Sequence, residues 1–118
     1  DSNERAKKVN QAIEWVGLTD KRDSKPNMLS GGECQRTAIA RAIVHEPALI
    51  MADEPTANLD AENSHHIMQI LVKLNKDLST SFVFATHDEK IMGYLKRIVY
   101  LDDGQIKKDD EIKNPKYN

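Results

Sequence analysis

The chain has 118 residues, which is enough for one small domain with its own core. Its 17 basic and 19 acidic residues give a formal net charge of −2, so no broad basic field predicts binding to nucleic acid or to an anionic membrane. The single cysteine, Cys34, excludes an internal disulfide and fits a reducing compartment, and the apolar runs are far too short to span a bilayer.

The first predicted element is an amphipathic helix near the start of the chain. Val9, Ala12, Ile13 and Val16 recur at helical spacing, and Gly17 is a natural stop for the helix. The polar stretch 19–28 that follows contains a proline and is predicted to be a loop.

A second helix is predicted to begin at Ser30 and to run to about Val44. Ser30 and Glu33 have the spacing of a capping box. The adjacent Gly31 and Gly32 are harder to explain, because each costs about 1 kcal/mol relative to alanine inside a helix. Such a cost suggests that another body approaches the backbone closely, and at a helix N-terminus that body would be an anion such as phosphate. A simple cap is the commoner explanation of such a stretch taken alone.

Two short apolar runs, Ala48–Ala52 and Ser81–Thr86, are predicted to be strands that are buried on both faces of a sheet. A long helix is predicted between them, after Asp60. Its apolar side is formed by Ile67, Ile70, Leu71, Leu74 and Leu78.

The rest of the chain is predicted to form a short helix, from Asp88 to about Leu95, and then a hairpin. The hairpin strands are 97–101 and 105–107, and Asp102-Asp103-Gly104 form the turn. Helices and strands thus alternate, which indicates an α/β domain with a largely parallel sheet. Such sheets bind ligands beyond the carboxyl ends of their strands.

Chemically capable side chains directly follow both predicted strands. Asp53 and Glu54 follow the first, where one could serve Mg²⁺ and the other a water, or both could be solvated turn residues. His87 follows the second strand, where its ring could bond an anionic ligand or have a structural role. Asp60 suits the cap of the long helix. Metal binding by His65 and the histidine beside it is not expected, since adjacent residues do not share a helix face.

Four stretches, in this order, resemble the motifs of the ATP-binding-cassette (ABC) ATPases. Leu29–Arg36 is similar to their signature motif, Leu49–Glu54 to the Walker B strand, Ala57–Asp60 to the D-loop, and Ala85–Asp88 to the switch histidine region. The Glu-Pro-Thr that starts at position 54 resembles the transporter branch of the family. Asn58 is similar to its counterpart in the ATPase subunits of lipoprotein-releasing and macrolide-efflux systems.

The resemblance implies a fold and a division of the chain. The fold would be the C-terminal half of a P-loop (RecA-like) ABC ATPase domain, with a mostly parallel sheet flanked by helices. Residues 1–45 would be part of the helical subdomain, including the signature helix. Residues 46–118 would be the C-terminal part of the RecA-like ATPase core.

The resemblance also implies roles in the hydrolysis of ATP with Mg²⁺. Glu54 would polarise the attacking water, His87 would contact the γ-phosphate, and Asp53 would help to hold Mg²⁺ through water. The residues expected to bind an ATP held by a second, facing subunit, or to couple the two subunits, are Ser30, Gly31, Gly32, Glu33 and Asp60.

Two departures from the family pattern limit these expectations. The chain contains no G-x-x-x-x-G-K-[ST] loop to cradle phosphates, and it begins with Asp1 rather than methionine. It is therefore expected to be part of a longer protein and to be inactive alone. Cys34 also stands where the family more often has glutamine, close to the expected subunit interface.

The expected partners are a second ATPase subunit, in a head-to-tail dimer, and transmembrane transporter subunits. This places the protein on the inner, cytoplasmic face of the cell membrane. Exposed strand edges suggest that the chain associates with itself. Two alternatives remain open: a soluble ABC-type ATPase of translation or DNA repair, and a non-catalytic interaction module. The transported substrate and the direction of transport leave no trace in these residues.

Overall fold

The computed structural model describes residues 1–25, 27 and 29–117, and it has the predicted alternation of helices and strands. The loop 19–28 contains the 3₁₀ turn Thr19–Lys21, while Pro26 and Met28 lie outside the described residues. The 3₁₀ turn Glu89–Tyr94 occupies the place of the predicted short helix. The helices and strands are α1 (Ser2–Trp15), α2 (Gly31–Ile43), β1 (Leu49–Asp53), α3 (Ala61–Leu78), β2 (Ser81–Ala85), β3 (Arg97–Asp102) and β4 (Gln105–Glu111).

Helix α1 confirms the first predicted helix and extends it towards the N-terminus. The side chain of Asp1 accepts a hydrogen bond from the backbone N–H of Glu4, which caps the helix. Gly17 has a φ of +74° and ends the helical path, as glycine does at this position. Ala12 is buried, but Val9 is 39% exposed, so only part of the predicted apolar face enters the core.

Helices α1, α2 and α3 and the 3₁₀ turn Glu89–Tyr94 enclose an apolar core. Helix α2 buries Ile39, Ala40 and Ile43, as its sequence pattern predicts. Helix α3 contributes the largest share, and the 3₁₀ turn adds Ile91 and Tyr94. This single core connects the segments on both sides of position 45.

Strands β1 and β2 are parallel and pair in register from Leu49 opposite Ser81 to Asp53 opposite Ala85. The prediction that both faces are buried is wrong. The helices cover only the face that carries the half-buried Ile50, Phe82 and Phe84.

The opposite face of this strand pair is exposed: Leu49 is 51% exposed, Met51 78% and Val83 52%. No described element packs on it. The apolar run was a correct signal for a strand, but burial on the second face requires a layer that the described residues do not supply.

Strands β3 and β4 form a separate antiparallel sheet. Asp103 and Gly104 connect them, with φ values of +49° and +74°. Two central residues with positive φ are typical of the tight hairpin turn that the sequence predicts. The described residues thus form one parallel and one antiparallel strand pair. None of the described helices is long and apolar enough to cross a membrane.

Candidate functional site

The site lies where β1 and β2 end, because parallel strands in register bring their carboxyl ends to the same edge. Asp53 and Ala85 are the last pair of the ladder. The next backbone N–H, that of Glu54, donates to the carbonyl oxygen of Ala85 at 2.7 Å. Glu54 has a φ of +50°, a left-handed conformation that is uncommon outside glycine and is often found at functional positions.

The structure brings Glu54 and His87 into direct contact. His87 Nδ1 lies 2.7 Å from Glu54 Oε1, and the hydroxyl of Thr86 donates to the other carboxylate oxygen at 3.3 Å. Since a carboxylate only accepts, His87 Nδ1 carries the proton in this contact, and Nε2 is left for another partner. The His87 side chain is 93% exposed and that of Glu54 is 33% exposed. The two groups can therefore both reach a ligand that arrives from solvent.

A further hydrogen bond joins the same two segments behind this pair. The hydroxyl of Thr56, which is 1% exposed, donates to Asp88 Oδ2 at 2.6 Å. This hydrogen bond, more than any other contact, holds the pKa of Asp88 below its ordinary value. The sequence predicts only that Asp88 is an N-cap, and its Oδ1 does accept from the backbone N–H of Lys90. We call Glu54, Thr56, Thr86, His87 and Asp88 the strand-end cluster.

Asp53 is exposed at the same edge and does not take part in these hydrogen bonds. Together with Glu54 it provides hard oxygen donors, which are the ligands of Mg²⁺. Among the described residues, no three acidic, histidine or cysteine side chains form a metal-binding group. Mg²⁺ is usually held by one or two carboxylates, waters and phosphate oxygens, so a site based on Asp53 fits this ion.

The N-terminus of α2 has the predicted capping box. The backbone N–H of Glu33 donates to Ser30 Oγ at 3.1 Å, and Glu33 Oε1 accepts from the N–H of Ser30 at 2.9 Å. The second of these bonds is the main reason why the pKa of Glu33 is lowered. Glu33 thus has a structural task, while Ser30 and Gly31 are exposed.

The two glycines that follow the cap have different environments. Gly32 is buried, and a Cβ added there would lie 2.6 Å from Asn63 Oδ1 of α3. A Cβ added at Gly31 would lie 3.5 Å from Leu59 Cδ2, which is an ordinary contact. The close neighbour at Gly32 therefore belongs to this chain, whereas packing within the chain does not require glycine at position 31.

Further contacts connect α2 with the segment that follows β1. Gln35 Nε2 donates to the carbonyl oxygen of Pro55 at 2.8 Å. Asp60 caps α3, as predicted, by accepting from the N–H of Asn63 at 2.8 Å. Asn58 has a φ of +64°, a conformation that asparagine tolerates better than most residues. The hydrogen bond from Gln35 links α2 to the segment that carries Asp53 and Glu54, and the sequence pattern alone does not show it.

The two histidines of α3 contact side chains of other elements. His65 Nδ1 lies 2.7 Å from the Tyr94 hydroxyl, and His66 Nδ1 lies 3.0 Å from Arg36 Nη1. Cys34 is exposed at the start of α2.

Several known proteins are similar in sequence to this chain. A family model described as "ABC transporter" matches residues 1–57. The lipoprotein-releasing system ATP-binding protein LolD of Pseudoalteromonas translucida is 52% identical over 96 residues, which is 81% of this chain and 41% of that protein. LolD of Bacteroides thetaiotaomicron is 45% identical over 92% of this chain and 49% of its own length.

The macrolide export ATP-binding/permease protein MacB of Chlorobaculum tepidum is 46% identical over 87% of this chain, but only 16% of MacB is covered. This chain thus spans less than half the length of the curated relatives named here.

Solved structures give the same result. The dimeric bacterial ABC transporter cassette MJ0796 is 39% identical and superposes with a TM-score of 0.78, over 97% of this chain and 50% of that one. Clostridium perfringens cbiO1, part of the ABC transporter complex cbiONQ, is 32% identical with a TM-score of 0.90, over 99% of this chain and 46% of cbiO1.

Proposed function

Because this chain belongs to the ABC transporter ATPase family, we propose that it supplies the water-activating and signature parts of an ATP-hydrolysing cassette. The full-length protein would hydrolyse ATP between two such subunits and drive transport across a membrane. Residues 1–45 would belong to the helical subdomain of the cassette and residues 46–118 to its ATPase core.

One observation carries this proposal, namely the contact between Glu54 and His87 at the carboxyl ends of two parallel strands. A carboxylate in this position can orient and polarise a water, and the exposed imidazole beside it can donate to a phosphate oxygen from Nε2 when the ring is protonated. In phosphoryl transfer, positioning and charge stabilisation supply most of the catalysis. The pair has the chemistry that this reaction requires.

ATP and Mg²⁺ are the substrate and the ion that these residues suit. Asp53 would hold Mg²⁺ through water, and the bound ion would neutralise charge on the phosphates. The exposed Ser30 and Gly31, at the N-terminus of α2, would receive the γ-phosphate of an ATP on the facing subunit. Gly32 and Glu33 would support this contact from behind, and Asp60 would couple the two subunits.

The relatives suggest the partners. One structural relative is a dimeric cassette, and a further structure of that protein holds ADP and phosphate. We extend this arrangement to the present protein as a head-to-tail dimer that acts on membrane-embedded transporter subunits. The protein would then lie on the inner face of the membrane, in a system of the lipoprotein-releasing or macrolide-efflux type.

The decisive test is MgATP hydrolysis by the full-length protein and its Glu54→Gln variant. We expect the variant to lose hydrolysis by about a hundredfold or more, as is typical when a general base is removed, and still to bind ATP. Glu14→Gln is the matched control, because Glu14 is an exposed acid on α1. Hydrolysis by Glu54→Gln within a few fold of the wild-type rate would refute the assigned role. A wild-type protein that neither binds nor hydrolyses ATP would favour the interaction module.

A further inference from the structure

We propose that Thr56 and Asp88 are positioning residues, which hold Glu54 and His87 at the separation that the proposed reaction needs. The expected effect on ATP hydrolysis rests on the proposed function. The expected effect on the position of Glu54 and His87 does not. The proposed function gives neither residue the role of an acid, a base or a ligand of the nucleotide. Their effect would be transmitted through the strand-end cluster.

The positions of the four residues along the chain support this inference. Thr56 lies two residues after Glu54, and Asp88 directly follows His87. The bond from Thr56 Oγ1 to Asp88 Oδ2 at 2.6 Å therefore joins the same two segments that the Glu54–His87 contact joins at 2.7 Å. Beyond the last ladder pair, the segments leave the sheet, and apart from one backbone hydrogen bond the contacts between them are made by side chains.

The chemistry of the inner bond makes it a stiff connection. Thr56 is 1% exposed and the Asp88 side chain is 18% exposed, so water competes weakly for this hydrogen bond. Its acceptor is a carboxylate, and hydrogen bonds to charged groups are shorter and stronger than neutral ones. Asp88 also accepts from the backbone N–H of Lys90, and its own N–H donates to Thr86 Oγ1 at 3.0 Å. By contrast, the outer contact joins a largely exposed histidine, which without this support would adopt other rotamers.

A purely structural clamp is the alternative explanation, and the chain contains a matched example of one. Thr80 is also 1% exposed, and its hydroxyl donates to the carbonyl oxygen of Pro47 at 3.0 Å, just before β1 and β2 begin. Thr56 and Thr80 are thus equally buried threonines at opposite ends of one strand pair. Only Thr56 adjoins the Glu54–His87 contact. A comparison of variants at the two threonines therefore distinguishes an effect on positioning from an effect on general stability.

The first experiment measures the ring nitrogens of His87 by ¹⁵N NMR in this chain. In the wild type, the neutral ring should carry its proton on Nδ1, facing Glu54. Thr56→Val should shift the tautomer population towards that of a histidine free in solution, whereas Thr56→Ser, which keeps the hydroxyl, and Thr80→Val should leave it unchanged. If Thr56→Val does not fold, Asp88→Ala removes the acceptor and leaves the buried threonine in place.

The second experiment measures the kinetics of the same variants in the full-length protein. Thr56→Val should lower kcat by about ten- to hundredfold with less than about a twofold change in KM for ATP, as small misplacements of reacting groups do. Thr56→Ser should restore the rate. The positioning role would be overturned if the His87 tautomer is unchanged in Thr56→Val, or in Asp88→Ala where that variant replaces it. It would also be overturned if Thr80→Val changes the tautomer as much as Thr56→Val does. If the tautomer shifts but even the wild type hydrolyses no ATP, the geometry is upheld and the proposed function fails.

Discussion

At the scale of single residues, adjacent residues of the same or similar type have different roles in this chain. Gly31 and Gly32 are adjacent and identical in sequence, yet Gly32 packs against Asn63 while Gly31 faces solvent. Glu54 and Asp53 are adjacent acids, but only Glu54 contacts His87. The chemistry available at each position therefore depends on the contact that the fold provides, as well as on the residue type.

The two glycines should respond oppositely to alanine. Gly32→Ala should destabilise the chain by about 1 to 2 kcal/mol, because the new Cβ would overlap Asn63 Oδ1. Gly31→Ala should stabilise it by about 0.5 kcal/mol, since alanine favours the helix and restricts the unfolded chain. Urea unfolding measures both. The double variant Gly32→Ala, Asn63→Ala should recover most of the loss, and equal effects of the two single changes would contradict this assignment.

Asp88 should make stability depend on acid pH. Its pKa is lowered in the folded state, below the ordinary value of 3.8, chiefly by the hydrogen bond from Thr56. Folding therefore gains stability from Asp88 above pH 3.8 and loses it as the pH falls through the lowered folded pKa. Thermal unfolding from about pH 6 to about pH 2.5 tests this. Asp88→Asn should flatten part of the decline, and parallel curves for the two proteins would show that Asp88 is not coupled to folding.

At the scale of elements, local signals determine where helices and turns begin. The capping box at Ser30 and the N-cap at Asp60 form as the sequence predicts. The β3–β4 hairpin turns at Asp103 and Gly104, and Arg97 pairs with Asp109 across the strands through two hydrogen bonds of 2.9 and 2.7 Å. The caps and the turn involve residues close in sequence, so sequence patterns predict them well. Arg97, by contrast, lies opposite Glu111 and reaches Asp109 diagonally across the hairpin, which the sequence pattern did not predict.

The hairpin turn provides a test at this scale. Gly104→Ala should cost about 1 kcal/mol, because a side chain disfavours the left-handed φ of +74°. Gly104→Asn should cost less, since asparagine tolerates this conformation, and Asp103→Asn should be nearly neutral. Chemical denaturation of the four proteins gives the order. A loss in Asp103→Asn as large as in Gly104→Ala would show that the turn geometry is not the cause.

At the scale of the whole molecule, one face of the β1–β2 pair is not covered by any described element. Leu49, Met51 and Val83 are each more than half exposed on it. Burial of apolar surface is favourable by about 25 cal/mol per Å², so this face has a driving force to associate with other apolar surface. Contiguous apolar patches exposed on soluble proteins often mark contact surfaces.

We therefore expect this chain to associate with itself at high concentration. Met51→Lys should weaken the association, because it places a charge in the middle of the exposed apolar face. Gln69→Lys is the matched control, since it adds the same charge at an exposed position on α3. Sedimentation velocity over a range of concentrations measures the effect. A wild-type chain that remains monomeric throughout, or equal association of both variants, would contradict this expectation.

The sequence by itself determined the order of the elements, the helix caps, the hairpin turn and the family, because each depends on residue types at short, regular spacings. It also indicated Glu54 and His87 as candidates, since each lies within two residues of the end of an apolar strand.

Only the tertiary structure decided which side chains meet. The bonds of His87 to Glu54 and of Thr56 to Asp88 join residues 33 and 32 positions apart, and they form because two parallel strands end at the same edge. The exposure of one face of β1 and β2 was also not predictable from the sequence, since an apolar strand can have its second face covered or exposed. Contacts between distant segments depend on the path of the chain through the fold, and sequence patterns over neighbouring residues do not predict that path.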